Sequence, residues 1–191
     1  MPDSIWKSTL EEFRAQLAGR DPVPAGVSTA AITASLALSL LIKVLEIARN
    51  RRDFRGDPGK IEEMLASARA ESSKLARYAD EDAAAFAAYM ASRGTPNEPA
   101  ALLLRKAIEI PLEAARAAAM GLKLCAGAIP MTPASIQPDL GAAAFLLTAS
   151  VRAMLLSAES NAQRLADPDF QREVAGEVEN LKLLAQNHQP W

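Results

Sequence analysis

Between Ala30 and Ile42 the chain carries only three polar side chains, Thr33, Ser35 and Ser39, and all three are small. A helix that is apolar on nearly all sides is one that other elements bury. The stretch from about Ser28 to Arg49 therefore predicts a buried helix around which the rest of the chain packs. A stiff turn precedes it, Asp21-Pro22-Val23-Pro24-Ala25-Gly26. The prolines fix their own φ and bias the residues before them away from helix. Gly26 permits a positive φ, and Ser28 or Thr29 is expected to cap the helix by accepting from its free N–H groups. A glycine-and-serine turn ahead of a helix N-terminus can also hold an anion.

The remaining chain reads as further helices. Ser4 or Ser8 opens a first one, with Leu10, Phe13 and Leu17 at helical spacing and Asp21-Pro22 beyond its end. After Asp57-Pro58-Gly59 a long amphipathic helix runs to about Ser92, with Ile61, Leu65, Ala68, Leu75, Tyr78, Phe86 and Met90 as its inner stripe. Gly94 to Pro99 is a loop. Another helix spans about Ala100 to Cys125, and Pro111 inside it is expected to kink or break it. A proline-rich connector leads to a helix from Pro138-Asp139 to about Ala166. Asp167 then caps a last helix with Pro168 at its first position. No alternating β pattern occurs. The expectation is an all-α bundle of about six helices with a buried central helix, one domain over residues 1–191 with a tail from about 187.

Composition narrows the function classes. Half of the residues are hydrophobic and only 5% aromatic, which suits close-packed helices. A net charge of −2 argues against a nucleic-acid binder, whose affinity rests on neutralising phosphates. The first ten residues read as no secretory signal. The longest uncharged apolar run stops at Lys43, short of the ~20 residues a membrane span needs. The expectation is a cytoplasmic protein with neither nucleic acid nor membrane as partner. One histidine, His188, and one cysteine, Cys125, leave no ligand set for zinc or a di-metal bundle and no Ser/His or Cys/His catalytic arrangement. Cys125 reads as a small core residue.

Four groups of polar residues remain. Asp139 lies at a helix start, where a carboxylate caps or meets the dipole. Asp80, Glu81 and Asp82 form a run that is ordinarily a solvated face. Arg49, Arg51 and Arg52 close the apolar helix, where cations suit its negative end. Ser157, Asn161 and Arg164 share one helix face by their spacing.

The order of these elements resembles one folate-enzyme family. Pro22 to Ile32, P-V-P-A-G-V-S-T-A-A-I, is similar to its P-T-P-G-G-G-S-x-A-A motif. Asn50-Arg51-Arg52-Asp53-Phe54 falls at its G-K-K-K-Y, and Glu81-Asp82-Ala83-Ala84-Ala85-Phe86 resembles its D-D-x-x-A-F. Ile110-Pro111-Leu112 resembles its V-P-L. Pro138-Asp139-Leu140-Gly141 sits at its S-D-x-G, and Asn161 at the second Asn of its N-x-x-x-N. The family comprises the cyclodeaminase domain of formiminotransferase-cyclodeaminase and the bacterial methenyltetrahydrofolate cyclohydrolases, and the resemblance spans roughly residues 9–175. Three positions depart from it. Ala25 and Val27 replace two glycines of the turn, and Ser157 stands at the first Asn. A β-branched Val27 resists positive φ, so the turn is expected to have changed shape.

The resemblance implies a tetrahydrofolate one-carbon enzyme. It would hydrolyse 5,10-methenyltetrahydrofolate, or release ammonia from formiminotetrahydrofolate while closing the ring. It implies Asp82 and Asp139 as catalytic or recognition carboxylates, and Gly26, Ser28, Arg51, Arg52 and Asn161 as substrate-binding residues, the arginines for the anionic glutamate tail. The folate is substrate, so no cofactor and no metal is implied. Asp139 and Asn161 are 22 positions apart, about 33 Å along one helix. They can serve one site only across subunits, and a homodimer is expected. The alternative is a member that has lost catalysis and binds folate, or acts as a helical interaction protein.

Overall fold

A computed structural model describes residues 4–54, 56–92 and 98–188. Among them the structure is all-α, with six helices: α1 Leu10–Leu17, α2 Gly26–Arg49, α3 Pro58–Ser92, α4 Glu98–Ala128, α5 Gln137–Ala162 and α6 Pro168–Asn187. Of the expected loop from Gly94 to Pro99, residues 94–97 lie outside the described residues, and α4 already includes Glu98 and Pro99. Of the expected tail, residues 189–191 also lie outside, and His188 ends α6.

α2 is the central helix. It packs on α3 and α5 and touches α4, while α4 also lies against α3 and α5, and α6 covers the α4/α5 side. Leu38, Leu41 and Leu45 are fully buried, and such side chains contribute about 1.5–3 kcal/mol each on leaving water. Small residues set the spacing. A Cβ on Gly121 of α4 would fall 2.9 Å from a Leu38 methyl and 3.0 Å from a Leu147 methyl, so the glycine lets these three helices meet without displacing either leucine tip.

Burial of α2 is one-sided, which the apolar run does not predict. Leu36 is 53% and Ile47 39% exposed, and Phe145, Leu146 and Leu156 of α5 are also open to solvent. α2 and the segment Ala134–Ala162 are long and apolar enough to cross a membrane by length and composition, although the uncharged apolar run by itself reads as too short. Each buries 56% of that apolar window inside the bundle.

Several boundaries differ for local reasons. α1 starts at a Thr9 capping box closed by Glu12, not at Ser4 or Ser8, and buries none of its residues. Ser4 instead caps a 3₁₀ turn, Ile5–Lys7. Asp167 caps α6 by accepting from the Phe170 N–H, with Pro168 in the first turn, as expected. α4 passes through Pro111 without interruption.

Candidate functional site

Three consecutive carboxylates on α3 point in three directions, because successive residues on a helix are turned by about 100°. Asp80 holds the N-terminal segment, accepting from Ser4 Oγ at 2.6 Å and the Ile5 N–H at 2.8 Å. Glu81 pairs with Arg77 one turn back, at 3.1 Å. Asp82 turns inward and is 7% exposed.

Asp82 meets the start of α2, which begins two residues earlier than expected. Ala25, in extended conformation, is its N-cap and offers no side-chain bond. Ser28 and Thr29 therefore do not cap it. Thr29 Oγ1 donates back to the Ala25 carbonyl, and Ser28 Oγ reaches Ala79 O at 3.0 Å and Asp82 Oδ2 at 3.2 Å. Asp82 stands in as a cap brought from another helix. Burial pushes its carboxyl up to about 6, against hydrogen bonds from the Ser28 side chain and backbone that favour the charged form. Among the described residues no non-glycine has positive φ, so Val27 sits in the first turn of the helix without strain. The Val23–Pro24 peptide is cis. The glycine turn of the resembled motif is here a helix start, and Gly26 faces open space.

A cleft of about 260 Å³ opens at this point. The turn supplies Val23, Ala25, Gly26 and Val27; α3 supplies Asp82 and Phe86; the end of α5 and the turn after it supply Ser157, Asn161 and Arg164. Asn161 is 8% exposed and its Nδ2 donates to the Ala107 carbonyl of α4 at 3.0 Å. Arg164 is exposed, with no ion pair among the described residues. The cleft thus combines a buried carboxyl that exchanges a proton near neutral pH, an amide, a cation and a helix N-terminus.

The other expected residues lie at the opposite end of α2. Asp139, at the start of α5, sits 3.6 Å from Lys43, and both are largely exposed. Arg51 is held by both oxygens of Asp53, at 2.8 and 2.9 Å, beside a smaller cleft with Phe54 and Thr132. Arg52 is exposed. At about 1.5 Å per residue, α2 sets Arg51 and Arg52 roughly 36 Å from Gly26, and Asp139, beside Lys43, roughly 26 Å from it. Within one chain, Gly26, Ser28, Asp82 and Asn161 come together, and Asp139, Arg51 and Arg52 do not join them.

A larger cleft, about 400 Å³, lies between α3, α4 and α6. Its Arg116 is committed to Glu177 and Glu113. Cys125 is buried, and its thiol is pushed up to about 12, so it is inert. Among the described residues no group of three or more His, Cys, Asp or Glu is placed to hold a metal. Sequence reasoning misses one participant, the Ala107 carbonyl. Its signal is Pro111 four residues later, which has no N–H to give it.

A bundle of this order with a carboxyl, an amide and a helix start converging on one cleft defines a class that comparison with known proteins makes specific. The formiminotransferase-cyclodeaminase family model matches residues 9–180. The chain belongs to that family. It is 26% identical over 194 residues to the formimidoyltransferase-cyclodeaminase of Sus scrofa, covering 93% of this chain but 35% of that protein. The chain thus spans about a third of the length of that relative. The fold is that of the formiminotetrahydrofolate cyclodeaminase of Thermotoga maritima, with a TM-score of 0.92 at 18% identity, over 97% of this chain and 93% of that one.

Proposed function

We propose that this chain acts on a one-carbon tetrahydrofolate, either by hydrolysing 5,10-methenyltetrahydrofolate or by releasing ammonia from formiminotetrahydrofolate with ring closure. The observation that carries the reading is the meeting of Asp82, Gly26 and Asn161 in one cleft, since each comes from a different motif of the family. Both reactions turn on a carbon between two nitrogens and need protons moved there. An Asp82 carboxyl near 6 suits either direction. Ionised, it takes a proton from the attacking water; protonated, it gives one to the departing ammonia. Arg164 and the start of α2 lie where electron-rich parts of the substrate would be held.

Asp139, Arg51 and Arg52 belong to the same function if the protein is a homodimer. The exposed apolar residues Leu36 and Ile47 on α2 and Phe145, Leu146 and Leu156 on α5 form the contact in this reading. A two-fold pairing through antiparallel α2/α5 faces brings the Asp139 end of one subunit to the Asn161 end of the other. Arg51 and Arg52 then lie where a folate's glutamate tail extends.

Ser157 favours a second reading. It lines the cleft where the resembled motif carries Asn, so a chain that binds folate without turning it over is the alternative. A titration with a stable reduced folate tests the binding that both share. Saturation at 100 Kd should raise stability by about 2.7 kcal/mol, and Asp82→Asn should reduce the shift. No shift at millimolar ligand contradicts both readings.

A further inference from the structure

Asn161 is more than nine-tenths buried, yet only half of its amide is used inside the protein. Nδ2 donates to the Ala107 carbonyl at 3.0 Å, and among the described residues nothing donates to Oδ1. Ala107 is four residues before Pro111 in an otherwise continuous α4. In a helix that carbonyl takes the N–H of residue 111, and proline has none. The orphaned carbonyl can only accept, so it demands a donor from elsewhere, and a buried carbonyl left without one is costly. Asn161 answers that demand across 54 positions of sequence. Its amide orientation follows. The NH₂ must face α4, and the remaining group offered to the cleft is the acceptor Oδ1.

We propose that Pro111 is a positioning residue for the cleft: by withholding a helical donor from Ala107 it locks Asn161 with its acceptor toward the ligand, which selects a ligand presenting an N–H donor at that point. Serine or a freely rotating Asn could serve donor and acceptor ligands alike; a locked Asn161 cannot. This rests on the folate reading for the identity of the ligand, where the N–H donors of a pterin ring fit the requirement. The lock itself does not rest on it.

A double-mutant cycle with Pro111→Ala and Asn161→Ala, on the ligand-free protein, tests the lock. With Pro111 present, N161A strips Ala107 of its donor. In the P111A background, the helix itself supplies one. The drop in Tm caused by N161A should be at least halved in that background. N161A folding only in that background supports the lock outright; equal drops in both, or failure to fold in both, overturn it. Affinity for 5-formyltetrahydrofolate tests the positioning role. P111A should bind roughly three- to tenfold more weakly, the worth of one hydrogen bond, although its helix is no less stable. Wild-type affinity in P111A overturns positioning. If the wild type binds no reduced folate, the folate reading fails while the cycle still decides the lock.

Discussion

The Ser28 hydroxyl lies 3.0 Å from the Ala79 carbonyl and 3.2 Å from Asp82 Oδ2, all in the buried seam between α2 and α3. A hydroxyl has one proton, and the carbonyl can only accept. The Ser28 proton can serve either acceptor, and when it goes to Asp82 it favours the charged carboxyl. Burial, the larger influence, opposes this and raises the Asp82 pKa.

Protonation of Asp82 makes stability depend on pH. The folded carboxyl keeps its proton to about pH 6, above the ordinary value of 3.8. Between those values the native state binds more protons than the unfolded one. Stability therefore falls as pH rises from about 4 to 6, and the loss persists above. The shift corresponds to about 1–3 kcal/mol. Denaturant unfolding of the wild type and of Asp82→Asn across this range should show the variant gaining by that amount relative to the wild type. Parallel curves would mean that Asp82 is not protonated unusually easily.

The proposed dimer predicts that Phe145→Glu yields a monomer. Phe145 is 52% exposed and touches the open groove with Gln137 and Ala142, so the change leaves the bundle core intact. Sedimentation should give about twice the 20.3 kDa chain mass for the wild type and the single mass for the variant. A monomeric wild type at micromolar concentration contradicts the pairing.

A composite site also predicts complementation. Asp82→Asn and Asp139→Asn should each be inactive alone, and Asp139→Asn should unfold like the wild type, because its partner Lys43 is largely exposed. Subunits of the two variants, mixed and allowed to exchange, should recover about a quarter of wild-type activity, since half of the dimers then hold one intact site. No recovery on demonstrated exchange places both carboxylates in separate roles.

Arg51 is occupied by Asp53, which refines what the basic cluster should do. Asp53→Asn frees the guanidinium and should strengthen binding of a polyglutamylated folate more than of the monoglutamate. Added salt should erase the difference. Arg51→Ala with Arg52→Ala should act in the opposite sense. Equal effects on the two ligands would assign the cluster to stabilising the end of α2.

What is legible in the sequence is local. The Asp167-Pro168 start of α6, the apolar stripe of α3 and the core role of α2 follow from neighbours within one or two turns. The misreadings arise where a distant residue decides. Local habit makes Ser28 and Thr29 caps, but Asp82, 54 positions away from Ser28, meets the start of α2 instead. Val27, by contrast, rightly signals that the glycine turn has changed shape, and the new shape is the first turn of α2. The uncovered faces of Leu36 and Phe145 invert the rule that an apolar helix is buried within its own chain. Of the site, the motif spacing anticipates Asp82 and Asn161, while their proximity depends on how α3 and α5 close over α2.

The most direct test of the functional reading is turnover by the purified protein. It should be incubated separately with formiminotetrahydrofolate and 5,10-methenyltetrahydrofolate at pH 7, following the methenyl chromophore. The account predicts that the chromophore forms from the first or decays from the second well above the uncatalysed rate, and that Asp82→Asn lowers this by about 10²-fold or more. A wild-type rate equal to the uncatalysed one for both substrates would contradict it.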